Sequence, residues 1–232
     1  MDPELDPSPR RVPRQKRAKH KRRALLVAAE QEFAEREYPE VTTKTIAARA
    51  GVSAGTFYQY FESKDHILRE VWKIRLAIFT DQIVDQDGGL PGGSAPLSIG
   101  EHIRQSIALT YRFHADNPRL HGTITHRRAL DPLLEQMAAA GDRIILERVT
   151  KAVRHWGIAS AEEVAFVIVS MAEGLVHRQV FGEATMPHER VMEQGAEMIT
   201  RYLERLCSRG PKARGPKARD PDARTSKDGG VS

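Results

Sequence analysis

Residues 41–68 read VTTKTIAARAGVSAGTFYQYFESKDHIL, and this stretch decides the fold of the N-terminal part of the chain. Ile46 and Ala50 recur at helical spacing, and Gly51 follows where the chain has to turn. Glycine takes a positive φ at little steric cost, and Ser53 is a residue type that caps the start of a helix. The stretch therefore predicts two short helices joined by a tight turn.

The second of these helices has one apolar face and one polar face. Phe57 and Phe61 lie four residues apart and define the buried face, while Ser63 is placed to cap a longer third helix. The remaining positions carry two tyrosines, a glutamine, a threonine and small residues, which suit a groove of DNA. The helix has no arginine or lysine, so the two-pronged contact of arginine with guanine is not available from it.

Composition is that of a globular protein of 232 residues, with 40% apolar and 29% charged residues. The single cysteine, Cys207, excludes an internal disulfide and a multi-cysteine zinc site, and we expect a cytoplasmic, nucleoid-associated protein. No secretory signal is expected at the N-terminus. The longest apolar run, residues 165–172, is interrupted by Ser170 and predicts no membrane span.

Positive charge is concentrated at the two ends of the chain, although the net charge is only +5. Nine basic residues lie between Arg10 and Arg23, and the segment after Cys207 repeats the sequence GPKAR twice. We predict a disordered basic arm at 1–18 and a disordered basic tail at 208–232. Phosphate contact is one role for the arm, and a purely solubilising role is the alternative.

The rest of the chain is predicted to be helical, which gives an all-α fold of about nine helices. Asp87 to Pro96 is rich in glycine and proline and predicts a loop. Thr43 is the expected N-cap of the second helix, Asp131 with Pro132 the start of another, and Ser160 with Glu163 a capping box. Outside the 41–62 region, helices are predicted from residues 16–19 to 37, and at about 63–83, 97–116, 119–129, 132–156, 160–181 and 187–206.

Residues 19–72 resemble the DNA-binding domain of the TetR-type bacterial transcriptional regulators. The matching positions are Ala28, Ala29 and Phe33 in the first helix, then 41–43, 46–53 and 55–61, then Lys64 with Leu68. The resemblance implies a three-helix helix-turn-helix domain at 19–64 and a helical ligand-binding and dimerisation domain at 65–207. It also implies a homodimer that binds a palindromic double-stranded DNA operator as a repressor, and no enzymatic activity.

The resemblance, together with residue chemistry, predicts which side chains contact DNA. Tyr58 and Lys64 resemble the phosphate contacts of the family, and Gln59 has the groups to pair with an adenine edge. For Tyr60, packing against the first helix is the alternative. The predicted DNA-binding residues are Lys21, Thr43, Lys44, Ser53, Ala54, Gly55, Thr56, Tyr58, Gln59, Tyr60 and Lys64.

The resemblance also implies an effector cavity among the helices of the second domain. A histidine beside an arginine at the cavity mouth favours an apolar or amphipathic anionic effector, and no cofactor is expected. The predicted ligand-binding residues are Ile107, Tyr111, His114, His126, Arg127, Met137, Val167 and Met171. A wider set of candidates adds Trp72, Ile78, Ile103, His121, Phe166, Ser170 and His177.

Two other functions have to be considered. A metal-responsive regulator would use His114, His121 and His126, but their spacing fits no common ligand pattern, so no metal site is predicted. An enzyme would need a recognisable motif, and the sequence has no nucleophile elbow and no glycine-rich phosphate loop. We therefore expect a ligand-responsive DNA-binding protein.

Two apolar surfaces near the C-terminus are expected to meet their copies in a dimer, as the resemblance implies. Packing within a single chain is the alternative for these residues. The two sets are Val164, Val167, Ile168, Met171, Leu175 and Val176, and Met192, Ala196, Ile199, Tyr202, Leu203 and Leu206.

Overall fold

The computed structural model describes residues 11–83 and 97–209. Within these two ranges the chain forms nine α-helices and no strand, which confirms the predicted all-α fold. The helices are α1 (Arg11–Glu35), α2 (Thr43–Arg49), α3 (Ala54–Tyr58), α4 (Lys64–Gln82), α5 (Ile99–Ala115), α6 (Pro118–Arg128), α7 (Pro132–His155), α8 (Ala161–Phe181) and α9 (His188–Arg209).

Helices α1 to α3 form the predicted helix-turn-helix head. Gly51 has a φ of 66°, so the tight turn between α2 and α3 uses the left-handed conformation that glycine permits. The Thr56 N–H donates to Ser53 Oγ over 3.2 Å, which confirms Ser53 as the N-cap of α3. The N-cap of α2 is Thr42 rather than the predicted Thr43, because Thr42 and Thr45 satisfy each other's backbone N–H groups.

Other helix ends differ from the predictions. Helix α1 begins at Arg11, so residues 11–18 of the predicted arm are helical, while residues 1–10, the 87–96 loop and the tail from 210 onward lie outside the described residues. Ser160 forms no side-chain cap bond to any described residue, so the predicted box with Glu163 is wrong. Asp131 does cap α7, and Ser98 with Glu101 forms a capping box on α5.

The apolar core of the head continues into α6 and α7. Leu120 and Ile124 of α6 and Leu134 of α7 are almost fully buried in the same cluster as the side chains of the head. The largest head residues in this cluster are Leu25, Phe33, Ile46, Phe57 and Phe61. The helix-turn-helix is thus packed on α6 and α7 and does not stand apart from them.

Ion pairs reinforce this junction. Arg127 of α6 donates to Asp65 of α4 over 2.8 Å and lies 4.5 Å from the centre of the Tyr38 ring, whose hydroxyl also donates to Asp65. Arg69 donates to Asp131 over 2.6 Å. Burial alone raises the pKa of Asp131, but the bonds from Arg69 and from backbone N–H groups outweigh it and hold that pKa below its ordinary value.

A second core lies between α5, α7, α8 and α9. Most of the residues predicted for the dimer surface are buried here within one chain, so that prediction was wrong for them. They are Val164, Ile168, Val176, Met192, Ala196, Ile199 and Leu203. Each stands on the inward stripe of its helix, whereas Val167, Met171 and Tyr202 remain exposed.

Helix α8 is, among the described residues, the one helix that is long and apolar enough to cross a membrane by length and composition alone. The sequence prediction considered only the interrupted run at 165–172 and overlooked the full length of α8. Only 22% of the 18-residue window concerned is buried in the single chain. The helix therefore presents apolar side chains to the core on one side and leaves others uncovered.

Two helical glycines provide a matched test of the packing. A Cβ at Gly141 of α7 would lie 2.4 Å from Leu76 Cδ2 of α4, whereas a Cβ at Gly122 of α6 would meet no described atom within 4 Å. Alanine is favoured over glycine in helices by about 1 kcal/mol. We expect Gly122→Ala to stabilise the protein by about 0.5–1 kcal/mol and Gly141→Ala to destabilise it by about 1–2 kcal/mol. Urea unfolding measures both, and equal stability of the two variants would show that the α4–α7 contact is not close.

Candidate DNA-binding surface and effector cavity

Helix α3 exposes the polar side chains that the sequence assigned to DNA. Phe57 is fully buried, whereas the Tyr58 side chain is 58% exposed and Gln59, which ends the helix, is exposed as well. Ser53 and Gly55 are exposed at the start of the helix, where the Ser53 hydroxyl also contacts the Thr56 hydroxyl. The outer side of α3 is thus a short surface of hydroxyl, amide and small groups.

The start of α2 lies beside this surface. The Thr43 and Tyr58 hydroxyl oxygens are 3.1 Å apart, so one hydroxyl donates to the other. Lys44 follows Thr43 and is exposed. Together these residues place two hydroxyl groups and one ammonium group next to Gln59.

Two of the predicted contact residues are turned elsewhere. Lys64 Nζ donates to the Tyr38 carbonyl oxygen over 2.7 Å and lies 3.9 Å from the centre of the Tyr38 ring, and burial lowers its pKa. Tyr60 is half-buried and packs against the core of the head. In the free chain Lys64 therefore ties α4 to the end of α1, and Tyr60 has a packing role.

Helix α1 carries further exposed positive charge on the head. Lys21 and Arg23 are exposed, as are basic residues one and two turns earlier, whereas Arg22 is paired with Glu70 of α4. The exposed cations of the preceding turns are Lys16, Arg17 and Lys19. Because these groups lie on a helix, their positions are fixed relative to the head.

A cavity of about 180 Å³ lies between α4, α5, α6, α7 and α8, and Ile199 of α9 also contributes to its lining. Its walls are mainly apolar, and Trp72, Phe79 and Ile103 are among the buried side chains that form them. Its polar lining residues are Ser106, Thr110, His114, His121, Thr125, Arg128, Asp142, Glu173 and His177.

Only part of the predicted ligand-binding set lines this cavity. Ile107 and His114 do, together with Trp72, Ile103, His121 and His177 of the wider set. Six predicted residues are elsewhere: Tyr111 stacks on His188, His126 is exposed, Arg127 binds Asp65, Met137 is half-buried on α7, and Val167 and Met171 are exposed on α8. Among the wider candidates, Ile78 and Phe166 are exposed, and Ser170 lines a groove between α8 and α9.

The helical period explains why the α6 residues were misplaced. His121, Thr125 and Arg128 recur at intervals of four and three residues and share the face towards the cavity. His126 and Arg127 are rotated away from that face. Thr125 and Arg128 were missed, although their spacing from His121 carried the signal.

The charges in the cavity do not match the predicted anionic effector. Arg128 is the one arginine in the lining, and it donates to Glu135 over 2.7 Å and to Asp142 over 3.1 Å. Glu173 adds a second carboxylate to the lining. No cation that lines the cavity in the described chain is therefore free to bind an anion.

Three histidines meet in the cavity, and they are not the three that the metal hypothesis named. His114, His121 and His177 have ligand nitrogens within 4.8 Å of one another, whereas His126 lies outside the group. Burial lowers the pKa of His114 to about 4 and that of His121 to about 2, and it also lowers the pKa of His177. All three imidazoles are therefore neutral at pH 7.

A further concave surface, larger than the cavity, is a groove of about 730 Å³ between α8 and α9. It is lined by apolar residues such as Met171, Leu175 and Met198, with Arg178 and Arg190 among the polar ones. Phe166, at 62% exposure, and Met198, at 57%, are large apolar side chains exposed on α8 and α9. Neither was identified as a surface residue from the sequence, because both helices carry apolar residues on more than one face.

Residues 25–71 match the family described as bacterial regulatory proteins, tetR family. An uncharacterised HTH-type transcriptional regulator of Mycobacterium tuberculosis is 36% identical over 69 residues, which is 30% of this chain and only 32% of that regulator. The HTH-type transcriptional repressor BepR of Brucella suis is 28% identical over 178 residues, which is 70% of this chain and 81% of BepR.

The fold comparison extends over both domains. The crystal structure of a tetR-family transcriptional regulator from Streptomyces coelicolor superposes with a TM-score of 0.64 at 16% identity and covers 83% of this chain and 92% of that one. At that level of identity the superposition shows a shared fold. The sequence match over residues 25–71 and the shared all-helical fold show that the chain is similar to the tetR family of bacterial regulatory proteins.

Proposed function

We propose that the chain is a dimeric transcriptional repressor of the bacterial cytoplasm, whose hold on a palindromic operator is set by a small effector. The observation that carries this proposal is the exposed polar side of α3, held next to Thr43 and Lys44 in a TetR-type head. The relatives named as transcriptional regulators and as a repressor support it. We infer repression because the relative BepR is named a transcriptional repressor.

In this proposal, base reading and phosphate binding fall to different side chains. Gln59 is the side chain on α3 that has both a donor and an acceptor for an adenine edge. Thr43, Lys44 and Tyr58 lie around it and would fix the head on the phosphates. The exposed cations of α1, such as Lys21, would supply most of the remaining electrostatic affinity.

Dimerisation would occur through α8 and α9. Val167, Met171, Met198 and Tyr202 are exposed apolar side chains on these two helices, and Met171 and Met198 line the groove between them. A contiguous apolar surface of this kind marks an interaction site in a water-exposed protein. A symmetric pair would place two heads one helical turn of DNA apart, about 34–36 Å, which is the spacing of palindromic half-sites.

Two helices connect the cavity to the head. Helix α4 lines the cavity with Trp72 and Phe79 and meets the junction through Asp65. Helix α6 lines it with His121 and holds Asp65 through Arg127. An effector that binds two settings of α4 and α6 unequally would therefore shift the position of the head, and a difference of about 1–3 kcal/mol is the usual range for such coupling.

The cavity supports a compact effector rather than a long one. Its volume of about 180 Å³ is smaller than the roughly 300–1,000 Å³ of pockets that hold drug-sized ligands. Its apolar walls and paired Arg128 give no support to the anionic head group that the sequence favoured. We propose a small effector, held by apolar contact and by the histidines.

Gln59→Ala tests whether α3 reads bases. Operators are selected from a random duplex library with the full-length protein, and binding to single-base variants is measured by fluorescence anisotropy. We expect loss of about 1–3 kcal/mol of discrimination at one symmetric pair of positions. Gln136→Ala, at an exposed position on α7, is the control. Uniform weakening on all duplexes would contradict base reading by Gln59.

Lys21→Gln tests the role of α1 in phosphate binding. Log affinity is measured against log salt concentration on the selected operator. The slope should become shallower by about 0.9 per chain if one phosphate contact is lost. Lys73→Gln, at an exposed position on α4, should leave the slope unchanged. If the two variants gave the same slope, Lys21 would not contact phosphate.

Val167→Asp tests the proposed dimer surface. Val167 is exposed in the single chain, so the variant should fold, but pairing would bury an unmatched charge. We expect dimerisation to weaken by at least about 2 kcal/mol, seen as monomers in sedimentation equilibrium. Leu130→Asp, at another exposed apolar position, should remain dimeric. A dimeric Val167→Asp variant would place the interface elsewhere.

A further inference from the structure

Three helices each bring one imidazole to the same end of the cavity. His114 comes from α5, His121 from α6 and His177 from α8. The ring centres of His114 and His121 are 4.0 Å apart, and those of His114 and His177 are 4.8 Å apart. His114 and His121 are buried while His177 is exposed, so the group can be reached from solvent through His177.

The hydrogen bonding of His114 leaves one ring nitrogen available as a ligand. His114 Nδ1 lies 2.8 Å from the Thr110 carbonyl oxygen, which can only accept. Nδ1 therefore carries the proton, and Nε2 presents a lone pair. A backbone carbonyl that holds the other ring nitrogen is the usual outer support of a metal-binding histidine.

His121 has the opposite feature, a buried nitrogen without a protein partner. His121 Nδ1 is inaccessible to solvent and forms no hydrogen bond with any described residue. Its ring packs against those of Phe181 and Trp72. An unpaired polar atom in such apolar surroundings is costly, and it points to a ligand that the protein itself does not supply.

The arginines near the histidines are paired with carboxylates. The ionisable groups that share the cavity lining are one arginine, Arg128, and two carboxylates, Asp142 and Glu173. Arg128 is paired with Glu135 and Asp142, and Arg75, the other arginine whose charge reaches His114 and His121, is paired with Glu30. Among the described residues, no unpaired arginine is therefore left beside the imidazoles to oppose a metal ion.

We propose that His114, His121 and His177 bind a divalent transition metal ion of the zinc class. Imidazole ligands suit zinc, copper, nickel and iron, and three histidines leave a tetrahedral ion one open position. That position would face the small cavity and take a water molecule or a small oxygen or nitrogen donor.

The rings need a modest adjustment to bind such an ion. Tetrahedral zinc with Zn–N bonds of about 2.0–2.1 Å holds its nitrogens about 3.4 Å apart. The ligand nitrogens now lie within 4.8 Å of one another, so the widest gap has to close by up to about 1.4 Å. His177, whose ring is exposed, has the most freedom to move.

The inference rests on the proposed function only in placing the ion in the effector cavity. Metal binding is measured without DNA, and operator binding is measured without metal. A failure of one measurement therefore leaves the other intact, and the two proposals can be judged separately.

The test is a titration of full-length, tag-free protein, freed of metal by dialysis against a chelator, with Co²⁺ and with Zn²⁺. We expect one ion per chain, with the intense visible absorption of tetrahedral cobalt. His177→Ala, at an exposed position, should weaken binding by at least about 100-fold, more than the loss of an outer-shell partner. His126→Ala, an exposed histidine of α6 outside the group, should bind as the original chain does.

His114→Gln is the second variant, and circular dichroism shows whether it remains folded. Loss of binding in folded His114→Gln and in His177→Ala, with His126→Ala unaffected, supports the site. Equal binding by His126→Ala and His177→Ala would overturn the proposal. So would the absence of any tetrahedral cobalt spectrum in the original chain.

Discussion

Helix α6 is held against the DNA-binding head by buried apolar side chains, and the rest of the arrangement depends on that contact. Leu120 and Ile124 are each 1% exposed within the core that the head shares with α7. Complete burial of such a side chain contributes about 1.5–3 kcal/mol. A free hinge between head and body would forfeit this contribution, so the head moves only as α6 and α4 move.

The same junction binds charged side chains that are then not available to an effector or to DNA. Arg127 is committed to Asp65 and to the Tyr38 ring, and Lys64 is committed to the Tyr38 carbonyl oxygen. Cations that the sequence offered to an effector and to DNA thus stabilise the boundary between the two domains. The cavity is left with neutral imidazoles, and DNA is left with the cations of α1 and with Lys44.

The head could be predicted almost residue by residue, because its structure follows from local chemistry. Gly51 needs a positive φ, Ser53 and Ser63 cap the helices that follow them, and the Phe57–Phe61 spacing fixes the buried face. These features depend on neighbours within a few residues. Even the error at the N-cap of α2 was a shift of one position.

The cavity could not be predicted in the same way, because it depends on how six helices are rotated against each other. The metal hypothesis grouped His126 with His114 and His121, but helix α6 turns His126 to solvent. The third member, His177, is more than fifty residues further along the chain and arrives only through the packing of α8. The exposed positions of Phe166 and Met198 were not predicted, for a related reason. An apolar residue type does not by itself show whether the side chain is buried in the core or exposed on the surface.

If the uncovered apolar strip on α8 forms the proposed dimer contact, it would also link gene control to the amount of protein made. If the paired form is the one that holds the operator, its concentration at low expression rises with the square of the chain concentration. Operator occupancy would then rise over a narrower range of chain concentration than it would for a protein that binds as a single chain. The side chains that the single chain leaves uncovered would thereby set a threshold for gene control.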